Sequence, residues 1–231
     1  GFLSRALVAE GIEVDLPHLG GKRAATWFPI SWVIYSVYLS EKIGYWRYIL
    51  MDRHLKANPG EAFAPLFDFF EPWCQDENRH GDCFTVMMRC WPGITKGWRG
   101  KLLSRFFLWS VFLTHTLTVC ERGEFYELLG IVPKEFDEEV IKRTNHTAKN
   151  AFPWVFNLDD DNRFWDLRNN IIDAFRAFVA TKGIAKPIKF INFVSLIFQQ
   201  FALPMEATNA LRYDKDVNFT GGDILNFWTD K

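Results

Sequence analysis

The chain has no dense run of basic residues, and its 27 Lys and Arg nearly cancel its 28 Asp and Glu. The electrostatic footprint of a nucleic-acid-binding protein is therefore absent. Cysteine is scarce: Cys74, Cys83, Cys90 and Cys120 show no C-x-x-C spacing and no secreted disulfide framework. A reducing intracellular compartment is the simplest account. No uncharged stretch is long enough to cross a bilayer, which takes about 20 apolar residues. The longest are Ala24 to Ser40, broken by Pro29, then Phe106 to Cys120 and Phe190 to Met205. The last two are apolar nearly all round, so they read as core helices, with a helix lying on a membrane surface as the alternative. Strand alternation, internal repeats and a signal or transit segment are not legible either.

What is present is helical pattern and aromatic bulk. At 231 residues the chain can bury a substantial core. Aromatics make up 17 % of it, including 23 Phe and 10 Trp, which fits a bulky core more simply than a cleft for a large flat ligand. The opening is in mid-pattern: Phe2, Leu3, Ala6 and Leu7 keep helical spacing with no cap before them. That reads as the end of a helix that begins upstream, stopped at Gly11 and followed by a loop from Asp15 to Gly21.

A helix from about Pro29 to Ala57 and a partner from Gly60 to Cys90 flank the turn Asn58-Pro59-Gly60, with Pro72 expected to kink the partner. Further helices are expected over Lys101 to Arg122, Glu124 to Leu129, Pro133 to Ala151, Arg163 to Lys182 and Pro187 to Leu203. The acidic residues Asp159, Asp160 and Asp161 read as a solvated loop, and Gly221-Gly222 lies in a polar tail. The expected division is residues 1–155 as a helix bundle and 156–231 as a helical extension.

Chemistry concentrates in Trp73-Cys74-Gln75-Asp76-Glu77-Asn78-Arg79-His80-Gly81-Asp82. A Glu-x-x-His pair places a carboxylate and an imidazole on one helix face, the unit from which ferritin-like bundles build half of a dinuclear metal site. Glu41 lies eighteen residues before Pro59 and Glu77 eighteen after it. In an antiparallel hairpin both fall at one level, roughly 27 Å from the turn. Seven-residue steps from Glu77 reach Phe63, Phe70 and Phe84, and Glu41 is surrounded by Ile34, Val37, Tyr38, Tyr45 and Tyr48. Carboxylates in apolar stripes need a compensating cation, either an Arg such as Arg47 or Arg79, or a metal. Glu41, Glu77 and His80 are thus the candidate metal ligands and catalytic residues. Asp76 and Arg79 either orient them or form a surface ion pair. Cys74 and His115 read as core residues, whereas His18, His54 and His146 need no special role. No second Glu-x-x-His occurs in the chain.

The stretches Tyr38-Leu39-Ser40-Glu41-Lys42-Ile43-Gly44-Tyr45-Trp46-Arg47-Tyr48, Trp73 to Asp82, Val119 to Gly130 and Lys142 to Asn145 closely resemble the aerobic magnesium-protoporphyrin IX monomethyl ester oxidative cyclases. Val119 to Arg122 looks more like the version in photosynthetic proteobacteria. The resemblance covers at least the first 155 residues. It implies an all-α, ferritin-like di-iron carboxylate helix bundle, truncated at its N-terminus and carrying additional C-terminal helices. It also implies two Fe ions, O2 as co-substrate, and electrons from reduced ferredoxin or an NADPH-linked reductase. The implied substrate is magnesium-protoporphyrin IX monomethyl ester, with an accessory cyclase subunit and a site at or peripheral to the photosynthetic membrane. Glu41, Glu77 and His80 match the second ligand set of that family. The first set would lie upstream, so the chain as it stands carries half of the ligands and is expected to be inactive alone. The competing expectation is a noncatalytic ferritin-like module or assembly subunit.

Overall fold

The computed structural model describes residues 28–159 and 162–209, together with Gly11. The expected helix end at Phe2 to Leu7, the loop at Asp15 to Gly21, Asp160, Asp161 and the tail with Gly221-Gly222 lie outside the described residues. Seven α-helices occur among the described residues: α1 (Ile30–Ala57), α2 (Phe70–Cys90), α3 (Gly97–Glu121), α4 (Gly123–Leu128), α5 (Pro133–Ala148), α6 (Arg163–Ala180) and α7 (Lys186–Phe201). The architecture is all-α, with one small departure. β1 (Trp154–Phe156) pairs antiparallel with β2 (Met205–Ala207), Val155 facing Glu206. Three-residue strands are too short to show as alternation in sequence. The ribbon ties the chain after α7 to the segment before α6, and Thr208 reinforces it by donating its hydroxyl to the Phe152 carbonyl.

The α1–α2 pair has the most extensive interface between helices. Its second arm differs from the expected continuous helix. After α1 the chain runs through short 3-10 turns at Pro59–Glu61 and Pro65–Phe69, and α2 starts only at Phe70. Pro72 therefore lies in the first turn of α2, where its missing N–H leaves no intrahelical bond unmade, and it has no kink to explain. The level match between Glu41 and Glu77 survives this change, since their ligand atoms lie within 4.8 Å of each other and of His80. Gly130 adopts φ +67° at the end of α4, as its expected role as a helix stop requires.

The core is aromatic. Tyr35 and Tyr38 of α1 are fully buried against Phe152, with ring centroids 4.8 and 5.2 Å apart. The Tyr38 hydroxyl donates to the Thr147 carbonyl at 3.2 Å, and Trp46 Nε1 to Thr147 Oγ1 at 2.8 Å. Helix α3 supplies Phe107, Leu108, Phe112 and Val119. Among the described residues α3 alone is long and apolar enough to cross a membrane by length and composition. It packs against α1, α5 and β1, and a third of its apolar stretch is buried.

Beneath it lies a buried polar knot. Asp137 of α5 accepts from His115 Nδ1 at 2.7 Å, from Thr116 and, at 2.8 Å, from the Arg168 guanidinium of α6. His115 is the core histidine expected of it, and three donors satisfy the carboxylate that would otherwise be costly to bury. The stretch from Phe190 to Met205, expected in the core, departs from that expectation. Gln200 is the one buried residue of α7, which packs on α6 and leaves its other side open.

Candidate metal centre

Helices α1 and α2 run antiparallel and bring Glu41, Glu77 and His80 together. One ligand atom from each lies within 4.8 Å of the others. His80 Nδ1 sits 3.1 Å from Glu41 Oε2. The Glu77 carboxyl is pushed up to about 7, chiefly by burial and then by the hydrogen bond and negative charge of Glu41, with His80 and Arg47 opposing. Two carboxylates that close share a proton unless a cation replaces it. A hard divalent cation fits this donor set, since it would take anionic oxygens from both glutamates and a neutral nitrogen from the histidine.

The site is more open than the apolar stripes imply. The Glu41 side chain is 19 % exposed and that of His80 is 61 % exposed, and nothing among the described residues covers the His80 side. Towards the turn, Tyr48 packs edge-on against Phe70 with centroids 5.3 Å apart, and Arg47 lies over the Tyr48 ring. A Cβ on Gly44 would lie 3.9 Å from Glu77 Cδ and 4.0 Å from Tyr48 Cε2, so this glycine lines the floor between the ligand carboxylate and the aromatic wall. Asp76 and Arg79 pair with each other at 3.0 Å on the surface, which settles them as an ion pair. Cys74 is buried, and its thiol is pushed up to about 12 mainly by desolvation. All four cysteines are unpaired.

Sequence reasoning passed over Lys42. It is 3 % exposed, and its ammonium donates to Asn78 Oδ1 at 2.8 Å, to the Asn78 carbonyl at 3.2 Å and to Asp82 Oδ1 at 2.6 Å. Burial holds its pKa below the usual lysine value, with Asp82 opposing. The lysine stem crosses Gly81 so closely that a Cβ there would meet Lys42 Cε at 2.5 Å. This cross-link joins the residue after Glu41 to the residues flanking His80, and so it fixes the register that brings the ligands level. The signal was a lysine inside an apolar stripe opposite Gly81-Asp82.

The first 88 residues match the family model described as Rubrerythrin. A magnesium-protoporphyrin IX monomethyl ester oxidative cyclase of Prochlorococcus marinus strain MIT 9313 is 71 % identical over 213 residues, which is 92 % of this chain and 61 % of that protein. The chain is a homologue of the oxidative cyclases. The corresponding protein of Prochlorococcus marinus strain MIT 9211 is 70 % identical over the same shares. A cyclase 2 of Thermosynechococcus vestitus is 54 % identical over 159 residues, 69 % of this chain and 45 % of its own length. The chain thus spans about three-fifths of the length of the two Prochlorococcus proteins. That likeness lends no support to the proteobacterial leaning of Val119 to Arg122. No solved structure matches the chain. The rubrerythrin match together with the helical architecture makes this cyclase homologue a ferritin-like bundle.

Proposed function

We propose that the chain is the part of an aerobic oxidative cyclase that supplies one ligand set, Glu41, Glu77 and His80, to a di-iron centre. The reaction would oxidise the methyl propionate side chain of magnesium-protoporphyrin IX monomethyl ester to form the isocyclic ring of protochlorophyllide. The observation that carries this reading is the convergence of two carboxylates and an imidazole within 4.8 Å in a chain 71 % identical to a protein bearing that name. Bound iron would supply the oxygen-activating redox chemistry.

The protein's own contribution is positional and electrostatic. Glu41 and Glu77 present anionic oxygens, and a bound cation would displace the proton that burial and Glu41 favour on Glu77. His80 adds a donor without adding charge. Lys42 holds the two helices in register, and Arg47 moderates the negative charge at Glu77. O2 as co-substrate, reduced ferredoxin or an NADPH-linked reductase as electron source, and an accessory subunit belong to the same proposal. So does the assignment of residues 156–231 as an extension of the bundle.

The test places this segment in a chain of its relatives' full length and measures conversion of the ester to protochlorophyllide under oxygen with a reductant. Glu77→Ala and His80→Ala are each expected to abolish ring formation while leaving the helical fold and porphyrin binding in place. Full turnover by either variant would remove these residues from the iron centre, and would favour a noncatalytic helical module for this segment.

A further inference from the structure

Of the cations beside the Glu41, Glu77 and His80 cluster, Lys42 is bound to Asp82 at 2.6 Å and Arg79 to Asp76 at 3.0 Å. Arg47 is different. Its contacts are with one phenol: Nη2 donates to the Tyr48 hydroxyl at 3.4 Å, and the guanidinium lies 5.0 Å from the centroid of the Tyr48 ring. Among the described residues it meets no carboxylate within ion-pair distance. The side chain is half-buried, so this arginine has given up part of its water without gaining an anion. The aromatic ring steadies the cation, while most of its N–H donors stay unused.

Its position is next to the chemistry. Arg47 follows Glu41 on α1 by less than two turns, roughly 9 Å along the axis, and its charge is felt at the Glu77 carboxyl. A Cβ on Gly44 would lie 3.9 Å from Glu77 Cδ and 4.0 Å from Tyr48 Cε2. Guanidinium, phenol ring and ligand carboxylate therefore follow one another along one wall. Away from the centre the wall continues through Trp73, 6.3 Å from Tyr48, to Phe69, which stacks on Trp73 at 6.2 Å and is 41 % exposed. A flat apolar ring system can lie against such a wall, and the guanidinium stands at its metal end.

The substrate of the proposed reaction has the complementary chemistry. Protoporphyrin IX carries a pair of propionates on neighbouring pyrrole rings. In the monomethyl ester one is a neutral ester and the other a free carboxylate. Oxidation has to reach the ester side chain, so the site must tell the two apart while the macrocycle lies beside the metal ligands. A planar guanidinium reads a carboxylate through two parallel N–H donations and offers an ester little. We infer that Arg47 binds the free propionate carboxylate of the substrate and so turns the ester side chain toward Glu41, Glu77 and His80. The inference rests on the reading of the chain as a cyclase segment, and it names the residue that selects which side chain reacts.

Porphyrin binding to this segment in a chain of its relatives' full length, followed by quenching of tryptophan fluorescence, tests it. The ligands are magnesium-protoporphyrin IX monomethyl ester and the corresponding dimethyl ester, which lacks the free carboxylate. The unaltered protein is expected to bind the monomethyl ester about tenfold more tightly, or better. Arg47→Gln should erase that preference by weakening the monomethyl ester alone, and Arg47→Lys should keep part of it. Arg79→Gln, whose arginine already has Asp76, should leave the preference unchanged. Equal binding of both esters by the unaltered protein would overturn the inference. So would an equal weakening of both by Arg47→Gln, since Arg47 would then be a packing group only. A preference carried by Arg47 in a protein whose Glu77→Ala variant still turns over fully would sink the iron reading and leave the carboxylate site standing. No binding of either ester would remove both.

Discussion

The body of the molecule and its C-terminal hairpin solve opposite problems. In the body, charged and polar groups are taken inside: Lys42, Asp137, Arg168 and His115 are all buried, and each charge is met by a partner on another helix. In the outer part of the hairpin, residues 175–199, nothing is buried: Ile184, Ile188, Ile191 and Phe198 stand in solvent and the outer halves of the helices adhere through phenylalanine contacts. The difference shows that apolar content does not by itself place a helix in the core. α7 is the most apolar of the helices and among the least buried, whereas α5 is polar on average and contributes much of the interior. Polar cross-links are where register matters.

Substitutions can sharpen that contrast. The largest effect is expected from Asp137→Ala, which leaves the Arg168 guanidinium buried without its carboxylate and should cost about 3–5 kcal/mol in denaturant unfolding. Ile188→Ser in the hairpin should change stability by no more than about 0.5 kcal/mol in the same experiment. Equal losses from the two would erase the distinction between body and hairpin.

A smaller effect is expected at Gly81. Adding a methyl group there meets Lys42 Cε, and displacing the lysine should cost about 1–3 kcal/mol. If the Lys42 cross-link is the reason, Gly81→Ala made in a Lys42→Ala background should cost much less, because the crossing stem is gone. Additive losses in this double-mutant cycle would show that Gly81 and Lys42 are not coupled.

The smallest effect is pH-dependent. The Glu77 carboxyl titrates near 7 in the folded protein and near its ordinary carboxylate value when unfolded. The folded state therefore holds the proton more tightly. Its contribution to stability is complete below the unfolded value and is lost as pH rises through about 7. In the absence of metal, Glu77→Gln should flatten this part of the stability profile between about pH 5 and pH 8, measured by thermal melting. The loss is modest because the group is only partly shielded from water. A wild-type profile no steeper than that of the variant would place the proton elsewhere.

Much of this was legible in the sequence. The turn at Asn58-Pro59-Gly60, the level placement of Glu41 and Glu77, and the helix stop at Gly130 follow from spacing and turn chemistry, and the structure has them where those rules put them. The start of α2 was not legible, because a proline tolerated in a first turn and one that kinks a helix look the same until the start is known. Lys42 was missed since a lysine between apolar residues ordinarily marks a solvated edge, and only the packed partner shows that Gly81 has made room for its stem. The outward face of α7 was misplaced because periodicity says which residues share a face but not whether anything packs against it.

The most direct test of the central claim is an anaerobic titration of the purified chain with ferrous iron, followed by metal analysis of the protein. Glu41, Glu77 and His80 should together hold one cation weakly, because three donors on one side cannot enclose a dinuclear centre. Uptake should fall at least tenfold on replacing any one of them with Ala. Uptake unchanged by all three replacements, or two tightly held irons on a single copy, would contradict the account.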